Sequence, residues 1–429
     1  MADPFVDIEK KAPENEGVMA FFARQLKSVP RTPGNIITLI IFAFGALVTV
    51  LRFTVGFEAV SNISDNNPWG IWIAFDLMCG VALAAGGYTC SSACYLLGFK
   101  RYHSAVRPAI ATAFLGYLFV VIALLYDVGK PWHLPYPLMI SFGTTSILFE
   151  VGLCVCIYLF VLFIEWSPVA MEWLITVKEE DSQPSLYRFL NRIRPALRKI
   201  RKVVLAITIP LTVFGVVLST MHQSSLGSLF LITPSKLHPL WYSAFLPVFF
   251  FVSSIAAGLS MVIFEGMLAH RALHDQMDET HLRENEGVVL GLGRACSVVL
   301  AGYVMMKVMD VAMDNEWALL FTGYGFWFLF ELVGFAAVPC LLYAIGARER
   351  KIAYMRWGAV LTVAGIIINR FNICLVAFNW QLPSADRYFP SFLEVMLSVF
   401  IVTCIITAYR FMAYKMPLLH ELKEFKANH

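Results

Sequence analysis

Apolar residues gather in ten long runs, at 34–60, 69–98, 107–128, 144–166, 203–222, 241–269, 288–313, 317–346, 353–380 and 391–414, with short polar stretches between them. About 20 apolar residues suffice to cross a bilayer as a helix. The pattern therefore predicts an all-α polytopic membrane protein with ten transmembrane helices. A few ionisable residues interrupt these runs at matching depths, Asp76 and Glu150 in the outer third and Glu331 and Arg370 near mid-membrane. Charge inside a span is costly to insert, so each such position is a functional candidate. Composition agrees with embedding: of 429 residues, 59% are hydrophobic, 14% aromatic and only 15% charged.

Charge adds an orientation. With the N-terminus inside, 26 of the 33 Lys and Arg fall in inner segments or at the inner ends of spans (Arg107, Arg356 and Arg410 among the latter), four lie further within spans (Arg52, Arg294, Lys307, Arg370), and the outer loops keep only Lys130, Lys236 and Arg387. Cytoplasmic loops retain basic residues, so both termini are expected in the cytoplasm and the net charge of +3 reports topology rather than a nucleic-acid partner. Residues 1–17 are polar and acidic, unlike a cleavable signal. The stretch Met19–Leu26 fits either a short amphipathic helix on the inner surface or a plain tail. The basic end of the loop 167–202 suits anionic lipid headgroups, and topology anchoring explains it equally.

The spans repeat internally. Trp69 opens the second and Trp241 the sixth, and each reaches Ala-Ala-Gly at the same spacing, Ala84–Gly86 and Ala256–Gly258. Asp127 and Asp310 then end the third and seventh, while Phe149-Glu150 and Phe330-Glu331 enter the fourth and eighth. Two parallel-repeat four-helix bundles follow, spans 2 to 5 and 6 to 9, flanked by spans 1 and 10. The expected division is a tail at 1–33, a flanking helix at 34–60, a first bundle at 69–222, a second at 241–380, and a last flanking helix with a cytoplasmic tail at 391–429.

In the first bundle four adjacent spans each offer one titratable group near a single outer level: Asp76, Asp127, Glu150 and His222. Asp127 sits at a helix C-terminus, which disfavours negative charge, and Lys130 is its expected partner. Asp76 and Glu150 can equally be neutral packing carboxyls, and His222 a span cap. Imidazole, with a pKa of about 6.5, is nonetheless well suited to passing protons to a quinone oxygen. Quinone reduction takes two electrons and two protons, so it needs hydrogen-bond partners at the carbonyls and an apolar slot for the tail. Trp69, Trp72, Phe75, Phe142 and Phe149 offer a slot, with Lys130 and Gln223 beside it, although interfacial aromatics also form belts. Tyr88, Thr89, Ser91 and Ser92 are candidates for an inward proton path; hydroxyls of this kind also back-bond to helix carbonyls. In the second bundle Glu331 and Arg370 are expected to pair, and Lys307 and Asp310 are i,i+3 neighbours. These four are either a second proton route or a structural tie.

All nine cysteines fall inside spans, with no zinc or haem-attachment spacing, and only His222 and His270 of the nine histidines touch span ends. No haem, iron–sulfur cluster or metal is expected on this chain, so an electron source must lie elsewhere.

The stretches Pro68–Leu77, Asp127–Lys130, Leu134–Tyr136, Ser146–Glu150, Met221–Leu229, His238–Trp241, Ile263–Gly266 and Leu375–Asn379 resemble the NrfD/PsrC-type membrane subunits of respiratory oxidoreductases, in particular the ten-helix HybB/QrcD-type branch. The resemblance implies a subunit of the bacterial inner membrane with menaquinone as substrate near the periplasmic face. It also implies a periplasmic iron–sulfur partner, joined by a multihaem cytochrome c, a hydrogenase or a molybdopterin-like subunit. Asp76, Asp127, Glu150 and His222 match the family's site positions. The expected function is quinone reduction within such a complex, with proton uptake linked to energy conservation. The alternatives are a hydrogenase-type anchor without proton translocation, a secondary transporter, and a purely structural anchor.

Overall fold

The computed structural model describes residues 32–178 and 184–420, with Leu422 and Phe425. The N-terminal stretch Met19–Leu26 and most of the C-terminal tail lie outside the described residues. Every regular element described is helical. Helix α1 (Pro33–Thr54) starts with Pro33 in its first turn and with Thr32 Oγ1 accepting from the Asn35 amide. The spans continue with α2 (Trp72–Leu96), α3 (His103–Asp127) and α4 (Ile147–Thr176). Next come an amphipathic α5 (Pro184–Ala206) and then α6 (Thr208–Ser228), α7 (Leu246–Ala272) and α8 (Glu279–Met313). The chain closes with α9 (Gly323–Glu349), α10 (Ile352–Val376) and α11 (Phe392–Lys415), the last opened by a reciprocal cap between Ser391 and Glu394. Nine of these helices are long and apolar enough to cross a membrane, ten if the bent pair α5 and α6 makes one span. The protein is a multi-pass all-α membrane protein.

The fifth span starts later than the apolar run indicates. The segment 203–206 completes α5, and the chain bends by 61° at Ile207 before α6 carries the crossing down to Ser228. Arg201 fixes the end of α5 by donating to Glu172 on α4 at 2.6 Å, so the apolar residues that follow it stay with α5. Helix α4 correspondingly runs ten residues past the predicted limit of 166.

Helices α2, α3, α4 and α6 pack as one ring of four, and α7, α8, α9 and α10 as another, while α1 and α11 pair beside α2 and α3. The repeated small-residue motifs meet at the junction of the rings. A Cβ on Gly258 would lie 2.5 Å from the Ala85 carbonyl carbon, and one on Gly86 would lie 3.2 Å from the Gly258 carbonyl oxygen. Only glycine allows α2 and α7 to cross this closely. One end of the molecule, where α5 lies, carries most of the basic side chains and is called the basic end; α2 and α7 begin at the far end.

Helix α2 is not a uniform α-helix. It widens into π-turns over Trp72–Cys79 and Ser92–Leu96, as does α9 over Val333–Ala337 and α10 over Asn372–Val376. Asp76 lies inside one such turn, and Glu331 and Arg370 border two others. Widened turns are frequent at functional sites because they re-aim side chains and free backbone groups.

Candidate functional site

At the far end of the first ring, Glu150 lies in the first turn of α4, where the helix dipole favours a carboxylate. Ser225 on α6 donates to Glu150 Oε1 at 2.7 Å. One turn deeper on α6, His222 is fully buried and neither ring nitrogen has a hydrogen-bond partner. Its imidazole leans on Tyr117 of α3, with ring centroids 5.7 Å apart. Gln223 donates Nε2 to the Val81 carbonyl at 3.0 Å and leaves Oε1 without a partner. The hydroxyls of Tyr117, Tyr158 and Ser219 are likewise buried and unpartnered. Native proteins rarely leave buried polar groups in this condition, so five side chains around one locus mark a place where water or a polar substrate completes the bonding.

The placement of His222 differs from the sequence expectation. It lies six residues before the end of α6, about 9 Å inside the helix at 1.5 Å per residue. Helix α6 continues past it, with the Ser228 hydroxyl donating to the Ser224 carbonyl one turn back rather than ending the helix.

The four titratable groups divide into two sets. Asp76 accepts from Ser398 of α11 at 2.6 Å and sits near Asp127. The partner of Asp127 is Arg52 rather than Lys130. Arg52, buried at the end of α1, donates Nε to the Tyr126 carbonyl and an Nη to the Val128 carbonyl, both at 2.8 Å, and its charge faces Asp127. Lys130 is exposed. The chain leaves the helix in an extended conformation at Val128, two residues before it. Asp76 and Asp127 thus belong to the seam of α2 and α3 with α1 and α11, and Glu150 and His222 to the seam of α4 and α6.

The aromatic residues do not line one slot. Trp69 packs on Phe230 and Phe378. Trp72 is buried against Phe57 and donates Nε1 to the Glu394 carbonyl at 3.2 Å. Phe75 meets Phe371 of α10 and Phe149 meets Phe142, centroids 6.3 Å apart, above the first turn of α4. Trp72 and Phe75 share the small core between α2, α3, α1 and α11, Trp69 packs on the main core, and Phe142 and Phe149 form a separate pair. Among the inward candidates, Tyr88 turns to Ser254 of α7 at 3.4 Å, Thr89 and Ser92 bond back to their own helix, and Ser91 is buried without a partner.

In the second ring Glu331 and Arg370 do not touch. Glu331 accepts from Trp241 (2.9 Å), Asn369 (2.6 Å) and Asn372 (2.5 Å), while Arg370 donates to Asn369 Oδ1 at 2.7 Å and to Ser253 at 2.8 Å. Asn369 relays the expected pair, and the guanidinium lies toward α7, 3.7 Å from the Phe250 ring centre. Lys307 and Asp310 do not bond either: Asp310 takes the Ser243 hydroxyl at 2.5 Å and Lys307 Nζ has no partner.

Several polar groups had no individual sequence signal. Glu165 accepts from Thr212 at 3.2 Å, Glu265 from Thr112 at 2.6 Å, and Glu172 binds both Arg107 (2.9 Å) and Arg201 (2.6 Å) at the basic end. The seven-residue spacing of Tyr158, Glu165 and Glu172 on α4 was the available clue, since it keeps one helix face. Among the described residues no group of three or more His, Cys, Asp or Glu is placed to hold a metal ion.

Comparison with known proteins places this architecture. A Nitratidesulfovibrio vulgaris (strain Hildenborough) protein is 64% identical over 398 residues, covering 93% of this chain and 97% of its own. The probable Ni/Fe-hydrogenase 2 b-type cytochrome subunit of Escherichia coli K12 is 30% identical over 91% of this chain and 95% of its own length. The integral membrane subunit of menaquinone reductase from N. vulgaris is 25% identical over 80% of this chain and 81% of its own. The polysulphide reductase NrfD family model matches residues 59–379, from the entry of α2 to the end of α10, and the chain belongs to that family.

Proposed function

We propose that the chain is the quinone-reactive membrane subunit of a respiratory oxidoreductase complex of the bacterial inner membrane. In this reading the basic end faces the cytoplasm. The far end abuts a periplasmic iron–sulfur subunit that delivers electrons, and the substrate is menaquinone. Reduction adds two electrons and two protons to the quinone and yields the quinol. His222 and Glu150 are the groups that present protons to the two oxygens; Gln223 orients a carbonyl, and Asp76 and Asp127 replenish protons from the α1/α11 side. Phe142 and Phe149 flank the headgroup, with Trp69, Trp72 and Phe75 as supporting packing and Lys130 outside the site.

One contrast between the two repeats carries the proposal. Glu150 and Glu331 occupy equivalent repeat positions. Glu331 is saturated by three side-chain donors, whereas Glu150 has one and lies beside a histidine with none. The first ring has bonding capacity for a substrate and the second has used its own. The name of the E. coli relative mentions a b-type cytochrome, a group usually held between facing imidazoles. Here His222 faces Tyr117 rather than a second histidine, so no haem is assigned.

Titration of the purified complex with a fluorescent hydroxyquinoline N-oxide tests this reading. Saturable quenching is expected for the unaltered complex and should be lost in His222→Ala and Glu150→Gln with assembly intact. Equal binding in both variants would move the quinone elsewhere.

A further inference from the structure

The second ring encloses a cavity of its own, lined by Ser253 of α7, Tyr303 and Lys307 of α8, Glu331 of α9, and Thr362 and Asn369 of α10. Its volume is ≈ 30 Å³; a water needs roughly 10–15 Å³. Room exists for a water or two, and all four helices contribute a polar group.

Lys307 is the unexplained member. It is 3% exposed, its Nζ has no hydrogen bond, and the Phe249 ring centre lies 4.2 Å from it. Thr362 Oγ1 is also buried and unpartnered. The charged groups around Lys307 are Asp310, Glu331, Arg370 and Glu316, but Glu331 and Arg370 are engaged with asparagines and Asp310 with Ser243. An ammonium buried without partners is too costly to leave so, and cavity water is the available donor and acceptor. Polar positions recur toward the basic end at seven-residue intervals on three helices: Ser253 and Ser260, Tyr303 and Cys296, Asn369 and Thr362. There Ser260 bonds the Tyr343 hydroxyl at 2.8 Å. Toward the far end Asp310 lies one turn beyond Lys307.

We propose that Lys307 and the cavity waters form a proton-exchange site in the second ring, separate from the quinone site. An Nζ–H bond breaks and an O–H bond forms on Asp310, leaving an amine and a carboxylic acid. The amine regains a proton that originates in solvent at the basic end and is relayed through water along the Thr362, Tyr343 and Ser260 seam, and Asp310 releases its proton to solvent at the far end, so each water ends the cycle unchanged. One proton moves and no electron does. The driving force is turnover of the complex, so this step rests on the oxidoreductase reading above.

The test uses the purified complex in proteoliposomes, with reduced viologen as donor and a soluble menaquinone analogue as acceptor, reading protons moved per electron. The unaltered complex should exceed the ratio set by quinone protonation alone. Lys307→Met should lower it to that ratio while the detergent-solubilised quinone reduction rate stays within about twofold, and Lys307→Arg should restore it in part. An unchanged ratio in Lys307→Met, or an unaltered complex already at the quinone ratio, overturns the proposal. Should Lys307→Met not assemble, Thr362→Val is read by the same criterion. Absence of quinone-analogue reduction in the unaltered complex would instead sink the quinone reading.

Discussion

Two buried side chains at the far end, Arg52 and His238, show how much single residues carry. Arg52 closes the C-terminus of α3 from α1, capping two carbonyls and balancing Asp127 in one planar fork. Removing it leaves two carbonyls uncapped and half-buried Asp127 without its facing charge, so Arg52→Ala should lower stability by roughly 1–3 kcal/mol, read as a fall in thermal midpoint of the detergent-solubilised protein. Arg52→Lys should recover little, because an ammonium cannot span both carbonyls. His238, in the loop before α7, is buried among Trp241, Tyr324 and Trp380, and burial pushes its imidazole down to about 4 from 6.5. The folded state therefore resists a proton that the unfolded chain accepts. Its contribution to stability is complete above pH 6.5 and is lost as pH falls toward 4. Replacing His238 with Gln should flatten that part of a stability profile; an unaltered slope would show that another group sets it. Asp127 was legible as a residue needing compensation, since its helix-end position is visible in the sequence. Arg52 as the source was not, because 75 residues separate the two and only packing brings α1 alongside α3.

Between elements, the closest approach is the crossing of α2 on α7. Gly258→Ala would drive a methyl into the Ala85 backbone, and overpacking of this kind costs about 1–3 kcal/mol; loss of assembled complex in membranes is the readout. The repeated Ala-Ala-Gly motif was legible as a repeat, and the structure shows why both copies keep it, since they pack on each other. At the basic end Glu172 ties α3 and α5 to α4 through Arg107 and Arg201. Glu172→Ala leaves two guanidiniums without their carboxylate and should release α5, raising protease cleavage across 184–206 while the spans stay intact. The existence of the spans was legible because an uninterrupted apolar run has few other uses. The bend at Ile207 was not, since Val203–Ala206 are as apolar as the span they precede and only the Arg201 bond assigns them to α5. The π-turn at 72–79 was equally hidden, a deviation from 3.6-residue geometry that no residue pattern announces.

Across the whole molecule, two similar rings have diverged in how they treat one carboxylate. The second surrounds Glu331 with Trp241, Asn369 and Asn372, and the first leaves Glu150, His222, Gln223 and Tyr117 with unused bonding capacity. In the reading proposed above, that asymmetry is the reason for assigning substrate chemistry to the first ring and the proton site to the second. The central claim, that His222 hands a proton to the quinone, is tested most directly by steady-state reduction of a menaquinone analogue by the assembled complex carrying His222→Gln. General acid–base groups contribute about 10²–10⁴-fold, so turnover should fall by at least about a hundredfold with the complex intact. Turnover equal to that of the unaltered complex would contradict the account and leave His222 a packing residue.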